Sequence, residues 1–317
     1  MTRTDVAKWL SENDNFCILT HAGPDGDTLG SAGTLCLGLR SLGKKADVLF
    51  NPEISEKLAY LCDGLMIEEP AENAVFVSVD VAAPYMFTEN QLPFVEKIAL
   101  RIDHHGNSTS FTPMELVDST SASCAEIIYD ILLEMGAVLT EEIAIPLYTG
   151  LATDTGCFRF ANTNAHTFAT AAACVATGAN VQPINQALFD TITLNKLKVQ
   201  AWVTEHTVFL SEGRAAYCAM PATLAEELGV EERDVGGMAG FVRSIEGVRL
   251  AVTLRESGED GKVYLSARAV PGYDAAALCA KFGGGGHKGA AGASLNLPLK
   301  DAVQAVREAM PDMGIRL

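Results

Sequence analysis

The chain has 317 residues and a formal net charge of −17, from 40 acidic against 23 basic side chains. That balance excludes a surface built to grip long duplex nucleic acid or an anionic membrane, since phosphate-backbone binding needs a basic footprint. Hydrophobic residues at 48% place it among globular proteins, and the length suffices for two domains with a core each.

The first predicted element is a short amphipathic helix over residues 4–11, with Val6, Trp9 and Leu10 on one side. An apolar run, Phe16–Leu19, reads as a strand and is released into His21-Ala22-Gly23-Pro24-Asp25-Gly26-Asp27. A helix then runs from about Thr28 to Leu42 and stops at Gly43. Two readings of that loop stand side by side. One imidazole and two carboxylates converge on a metal, or an Asp-rich turn caps the next helix.

Residues 46–50 read as a second strand. Residues 74–80 and 98–103 are near-continuous apolar runs that each end in a carboxylate, as strands buried on both faces of a parallel sheet do. The later run is followed by His104, His105 and Gly106, and residues 115–118 read as a short edge strand. Helices are expected from about Ser123, over 141–153 with Asp154 just beyond, over 163–177, and from 183 to about 206.

From about residue 207 the character changes to alternating strands near 208–210, 215–219, 249–254 and 263–268, with helical pieces near 223–228 and 234–241. A glycine run from Gly283 to Gly286 leads into His287, then a strand-like stretch over 293–297 and a helix from Asp301. The expected organisation is an α/β protein: a parallel-sheet domain over 1–188, a helical linker over 189–206, and a smaller α/β domain over 207–317. Eight cysteines without a Cys-x-x-Cys pair imply buried reduced thiols in a cytoplasmic protein. Neither a leading apolar segment nor a run of membrane length stands out, so no membrane partner is expected.

His21, Asp25, Asp27, Asp80, His104 and Asp154 all fall at the ends of consecutive elements, where the carboxyl edge of one sheet would gather them. Taken alone, Asp80 reads as a turn cap; together with the other positions it reads as a ligand. Nitrogen and oxygen donors without cysteine suit two divalent ions sharing one carboxylate. They favour Mn²⁺, with Mg²⁺, Co²⁺ or Fe²⁺ as substitutes. A two-ion centre suits hydrolysis of phosphate esters by in-line displacement. His166 and His206 lack a carboxylate-rich turn and read as surface or satisfied positions, and Trp202 and Phe209 as packing.

His21-x-x-x-Asp25-x-Asp27 together with Asp103-His104-His105 resembles the DHH phosphoesterase family, and the glycine run with His287 resembles its DHH-associated (DHHA1) substrate domain. The resemblance spans nearly the whole chain, and the length is similar to the branch of nano-RNases and 3′,5′-bisphosphate (pAp) phosphatases. It implies that His21 and Asp25 bind one Mn²⁺, that Asp27, His104 and Asp154 bind the other, and that Asp80 bridges both. His105 would contact the substrate phosphate and assist the leaving oxygen, with Asp103 orienting the histidines from behind. In the second domain Arg243, Ser266, Arg268 and Gly284, Gly285, Gly286 and His287 would hold the substrate's other phosphate or base.

Two departures stand out: Gly23 replaces the family's usual asparagine, and Ala269 removes a hydroxyl from the stretch that begins at Ser266. The resemblance thus implies an enzyme that cleaves short oligoribonucleotides to mononucleotides and pAp to AMP, with a homodimer compatible with it. Rival readings on the same core are a phosphodiesterase for pApA or cyclic dinucleotides, a pyrophosphatase and a polyphosphatase. A non-catalytic nucleotide sensor would show a broken ligand set, and this one is unbroken.

Overall fold

Thr2 opens the first helix, α1 (Arg3–Glu12), by accepting the amide of Asp5 while the Asp5 side chain accepts the amide of Thr2. The computed structural model describes residues 1–310 except 107 and 259. Two compact units divide the chain, Met1–Thr191 and Ile192–Leu317.

In the first unit β1 (Phe16–Leu19) is followed by α2 (Gly26–Ser41), β2 (Ala46–Leu49), β3 (Met66–Ile67), β4 (Val75–Val79), β5 (Ile98–Asp103) and β6 (Met114–Val117). The strands form one sheet in the order β3-β2-β1-β4-β5-β6 with every pair parallel. Alternate residues explain the continuous apolar runs. Ile18, Val77, Val79, Leu100 and Ile102 enter one core with α2, whereas Cys17, Leu19, Phe76 and Ile98 enter a second core on the opposite face. Ile98 departs from strict alternation with Leu100 because the β4–β5 register shifts between Phe76 and Val77. Each buried Leu or Ile contributes about 1.5–3 kcal/mol relative to exposure. Strand order reverses between β1 and β4, so the loops leaving those neighbours diverge and open a crevice at the carboxyl edge.

The remaining helices of this unit are α3 (Cys124–Glu134), α4 (Glu141–Asp154), α5 (Ala165–Ala176) and α6 (Gln182–Asn185), the last passing into a π-helical turn over Gln186–Asp190. α2 and α4 approach through glycine. A Cβ at Gly30 would lie 2.6 Å from the Pro146 carbonyl oxygen, and one at Gly150 would lie 2.9 Å from Asp27 Oδ1. Only hydrogen fits at either place, and the close approach brings the end of α4 to the start of α2.

The second unit begins with α7 (Leu194–His206) and continues through β7 (Val208–Leu210), β8 (Ala215–Met220), α8 (Leu224–Leu228), α9 (Glu232–Val235) and α10 (Met238–Arg243). Then come β9 (Leu250–Glu256), β10 (Val263–Ala269), α11 (Ala275–Ala280), β11 (Gly285–His287), β12 (Ala290–Leu295) and α12 (Leu299–Ala309). Its mixed sheet runs β11-β12-β10-β9-β8-β7, with β8 and β9 parallel and the other pairs antiparallel. Leu278 of α11 and Val306 of α12 pack on one face, and Val199 of α7 and Val242 of α10 on the other.

The single helix expected from 183 to about 206 is broken. Thr191 and Thr193 adopt extended backbone, and the Thr193 hydroxyl caps α7 by accepting the amide of Lys196. β-Branched residues favour that extended state. Val199 and Val203 are fully buried within the second unit, so α7 lies inside it, where the sequence reading sets 189–206 apart as a linker. Among the described residues no helix is long and apolar enough to cross a membrane.

Candidate metal centre

The loop after β1 is held at both ends. Asn51 Nδ2 donates to the His21 carbonyl at 2.8 Å and to Thr20 Oγ1 at 3.0 Å, and the Ala22 amide donates to the Met86 carbonyl at 2.6 Å. Asp25 is the N-cap of α2, its Oδ1 accepting the amides of Asp27 at 3.0 Å and Thr28 at 3.1 Å. The helix-cap reading of Asp25 therefore holds, and the same oxygen also lies 3.8 Å from His21 Nε2. Asp27, in the first turn of α2, is buried against the start of α3. Its Oδ2 accepts the amide of Cys124 at 2.7 Å and its Oδ1 that of Ala125 at 3.0 Å. A helix N-terminus is where a carboxylate is best accommodated.

Asp80 follows β4 with φ of +59°, a left-handed conformation that Asp tolerates better than most residues. Its backbone amide still donates to the Ile102 carbonyl at 2.9 Å, so the residue stays anchored to the sheet. At the end of β5, Asp103 Oδ1 accepts the amides of His104 at 2.7 Å and His105 at 3.1 Å, and His105 Nδ1 at 2.8 Å. Asp154 ends α4, with Asn162 Nδ2 donating to its carbonyl at 3.2 Å and to the Ala122 carbonyl at 2.9 Å.

Ligand atoms fall within 4.8 Å of one another in three overlapping groups: His21, Asp25 and Asp80; Asp27, His104 and Asp154; and Asp80, His104 and His105. All six residues expected as ligands are thus brought together, with Asp80 shared by two of the groups and His104 joining the third. The Nδ1 atoms of His21 and His104 face the carbonyls of Ala22 at 2.8 Å and Ser121 at 3.4 Å. Those acceptors place the proton on Nδ1 and the lone pair on Nε2. His104 Nε2 lies 3.5 Å from Asp80 Oδ1, 3.7 Å from Asp27 Oδ2 and 3.8 Å from Asp154 Oδ2. These separations exceed hydrogen bonds, yet a cation placed between the atoms could touch several of them.

The electrostatics also fit a cation. Burial, then the charges of Asp154 and Asp25, push the Asp27 carboxyl well above the usual carboxylate range. Burial, then Asp27 and Asp25, do the same to Asp80. Asp80 Oδ1 is buried and accepts no hydrogen bond among the described residues. Buried carboxylates packed this closely without donors are costly unless positive charge sits among them.

In the second unit, register gathers the expected substrate residues. Ser266 and Gly285 both pair with Gly292, and Arg268 and His287 both pair with Ala290, so all four share one face of the sheet. That face is the α10 side, and Arg243 ends α10. A shallow depression there is lined by Tyr264, Ser266, Gly283, Gly284, Gly292 and Ser294. The glycine run is not a plain loop, since Gly285 to His287 form edge strand β11. A Cβ at Gly284 would lie 2.1 Å from the Gly292 carbonyl oxygen, so close strand approach is itself a reason for glycine there. His166 pairs with Asp130 at 2.9 Å, and His206 stacks on Trp202 with ring centroids 3.8 Å apart.

Sequence reasoning missed the residues behind the ligands. Asn51, Ser121 and Asn162 act through the backbone carbonyls they hold or offer. Only Asn51 left a trace, because Asn-Pro after a strand is a turn signal. Arg101 is fully buried and binds the Thr109 carbonyl at 2.8 Å and Ser108 Oγ at 3.0 Å, tying down the segment after the histidines.

Residues 15–151 match the DHH family N-terminal domain, and residues 213–312 match the DHHA1 domain. The chain is 35% identical to a protein of Thermus thermophilus named bifunctional oligoribonuclease and PAP phosphatase NrnA, over 92% of this chain and 88% of that one. A Bacillus subtilis protein of the same name is 28% identical over 92% of this chain and 93% of its own. The crystal structure of an exopolyphosphatase-related protein from Bacteroides fragilis superposes with a TM-score of 0.83 at 23% identity, covering 98% and 96% of the two chains. A relative this similar along nearly the full length, together with the matched domains, makes the chain a member of the DHH phosphoesterase family, with a DHHA1 domain as its second unit.

Proposed function

We propose that this protein hydrolyses short oligoribonucleotides to mononucleotides and pAp to AMP, using two Mn²⁺ ions. The observation that carries the reading is the convergence of His21, Asp25, Asp27, Asp80, His104 and Asp154 into overlapping ligand groups. Support for the substrate class comes from relatives named bifunctional oligoribonuclease and PAP phosphatase. His21 and Asp25 would hold one ion, Asp27, His104 and Asp154 the other, and Asp80 both. Such ions supply Lewis acidity, which acidifies water and neutralises phosphoryl oxygens.

The chain's own groups do the rest. Asp103 holds a proton of His105 on Nδ1, so Nε2 would face substrate; with a second proton on Nε2 the ring would donate to a phosphate oxygen and pass that proton to the leaving one. Arg243, Ser266, Arg268 and His287 would bind a second phosphate or a base, with the amides of Gly284, Gly285 and Gly286 assisting. Neither Arg243 nor Arg268 meets a carboxylate among the described residues, as suits side chains kept for an anion. All eight cysteines are unpaired thiols, which suits the cytoplasm.

A substrate panel with Mn²⁺ tests the reading: two- to five-nucleotide RNA, pAp, pApA, cyclic dinucleotides, pyrophosphate and polyphosphate, resolved by product chromatography. Mononucleotides from short RNA and AMP from pAp are expected. Turnover confined to pyrophosphate, polyphosphate or cyclic dinucleotides would overturn it.

A further inference from the structure

Directly beyond Asp154 the backbone enters a left-handed turn: Gly156, Cys157 and Phe158 have φ of +56°, +57° and +62°. For residues with a Cβ that conformation costs about 1–2 kcal/mol each, so neighbouring contacts must hold it. The Cys157 amide donates to the Ala152 carbonyl at 2.6 Å, and the amides of Arg159 and Phe160 to the Thr155 carbonyl at 2.9 and 3.0 Å. The Phe158 amide donates to the buried Thr155 Oγ1 at 3.0 Å. Its ring lies beside Tyr148 and Phe168, with centroids 5.7 and 5.6 Å away. The turn is rigid, and what it presents is the pair that follows.

Phe160 is 55% exposed, yet its ring tip rests on Gly156, where a Cβ would lie 2.3 Å from its Cζ. Arg159 is exposed, and its Nε donates to the Gly156 carbonyl at 2.6 Å, which fixes the plane of the guanidinium. Among the described residues Nη1 and Nη2 meet no carboxylate, in a chain of net charge −17. An exposed guanidinium held in one plane, with no carboxylate partner among the described residues, is open to an anion. A fixed guanidinium fork matches phosphate oxygens, and an exposed, immobilised aromatic ring is a platform for a nucleobase.

We infer that Arg159 and Phe160 bind the nucleotide at the metal centre, Arg159 donating from Nη1 and Nη2 to phosphate and Phe160 stacking on the base. This rests on the nucleotide reading above and names residues that select for it. Both follow the strained turn that begins two residues after the candidate ligand Asp154, so strain, charge and exposure converge at one place.

The experiment compares Arg159→Gln, Phe160→Ala and Phe160→Tyr with the parent protein loaded with Mn²⁺. AMP affinity is measured by calorimetry, and KM and kcat for pApA by chromatography. Arg159→Gln and Phe160→Ala should each weaken AMP binding and raise KM for pApA at least tenfold while kcat changes less than threefold, and Phe160→Tyr should restore binding. AMP affinity and KM within twofold of the parent in both variants would overturn the inference, as would a loss confined to kcat. If the parent fails to cleave pApA or short RNA, the nucleotide phosphoesterase reading falls, while the AMP affinities still decide this one.

Discussion

His105 Nδ1 lies 2.8 Å from Asp103 Oδ1, an oxygen that also accepts the amides of His104 and His105. One carboxylate therefore sets both the tautomer of His105 and the backbone path of the histidine pair. Asp103→Ala should lower kcat for short RNA about 10–100-fold, the usual cost of losing an orienting partner, while calorimetry still finds the parent's number of Mn²⁺ ions. Asp103→Asn should recover part of the loss, because its amide oxygen can accept from Nδ1. Loss of bound metal in Asp103→Ala would place Asp103 among the ligands instead.

Asp80 sits at φ of +59° among like charges, and burial raises its pKa first of all. Asn keeps the left-handed backbone and the shape while removing the charge. Asp80→Asn should abolish turnover and also raise the melting temperature of the metal-stripped protein by a few degrees, for a gain of about 1–2 kcal/mol. A lower melting temperature would mean that the charge is balanced by the protein itself.

Metal uptake should depend on pH with a definite sign. Without cations Asp27 and Asp80 have raised pKa values. Burial works against the charge on His21, but Asp25 and the Ala22 carbonyl together outweigh it and raise that pKa too. Each group then holds a proton that a cation must displace, so affinity should rise with pH and binding should release protons. Mn²⁺ calorimetry in buffers of different ionisation enthalpy reads this directly. A pH-independent affinity between pH 6 and 8 would contradict it.

Gly284, just before β11, and Gly285, its first residue, should behave differently. A Cβ at Gly284 collides with backbone at 2.1 Å, whereas one at Gly285 meets nothing within 4 Å. Gly284→Ala should destabilise the protein by about 1–3 kcal/mol in urea titrations, through overpacking. Gly285→Ala should leave stability unchanged, so any rise in its KM for short RNA reports contact with substrate.

Asp118 provides an acid-limb test. Burial opposes its charge, but hydrogen bonds from Thr120 and the Arg3 guanidinium at 2.8 Å prevail and bring the pKa down from 3.8 to about 2. A depressed carboxylate stabilises fully above its unfolded value and loses that contribution as pH falls from about 4 to about 2. Asp118→Ala should cost about 1 kcal/mol at pH 7, since the pair is partly exposed, and almost nothing at pH 2. Urea midpoints at both values measure it.

Much of this molecule was legible in its sequence because strand ends announce themselves. Apolar runs stopping at Asp80 and Asp103 marked β4 and β5, and the first loop marked its own ligands. Their convergence needed only one parallel sheet. Legibility failed where the backbone does the work. Nothing in the letters says that Ser121 offers its carbonyl to His104, or that residues 156–158 turn left-handed. The break before α7 was missed because the 3.6-residue periodicity resumes beyond it and hides two extended threonines.

Asp27 is aimed chiefly by the main-chain amides of residues 124 and 125, at 2.7 and 3.0 Å, with the Ser31 hydroxyl a longer contact at 3.4 Å. Every amino acid but proline carries that N–H, so this support cannot be deleted by ordinary substitution at either position. Drift there could alter packing while the carboxylate kept its hold, which makes Asp27 the member of the centre least exposed to mutation around it.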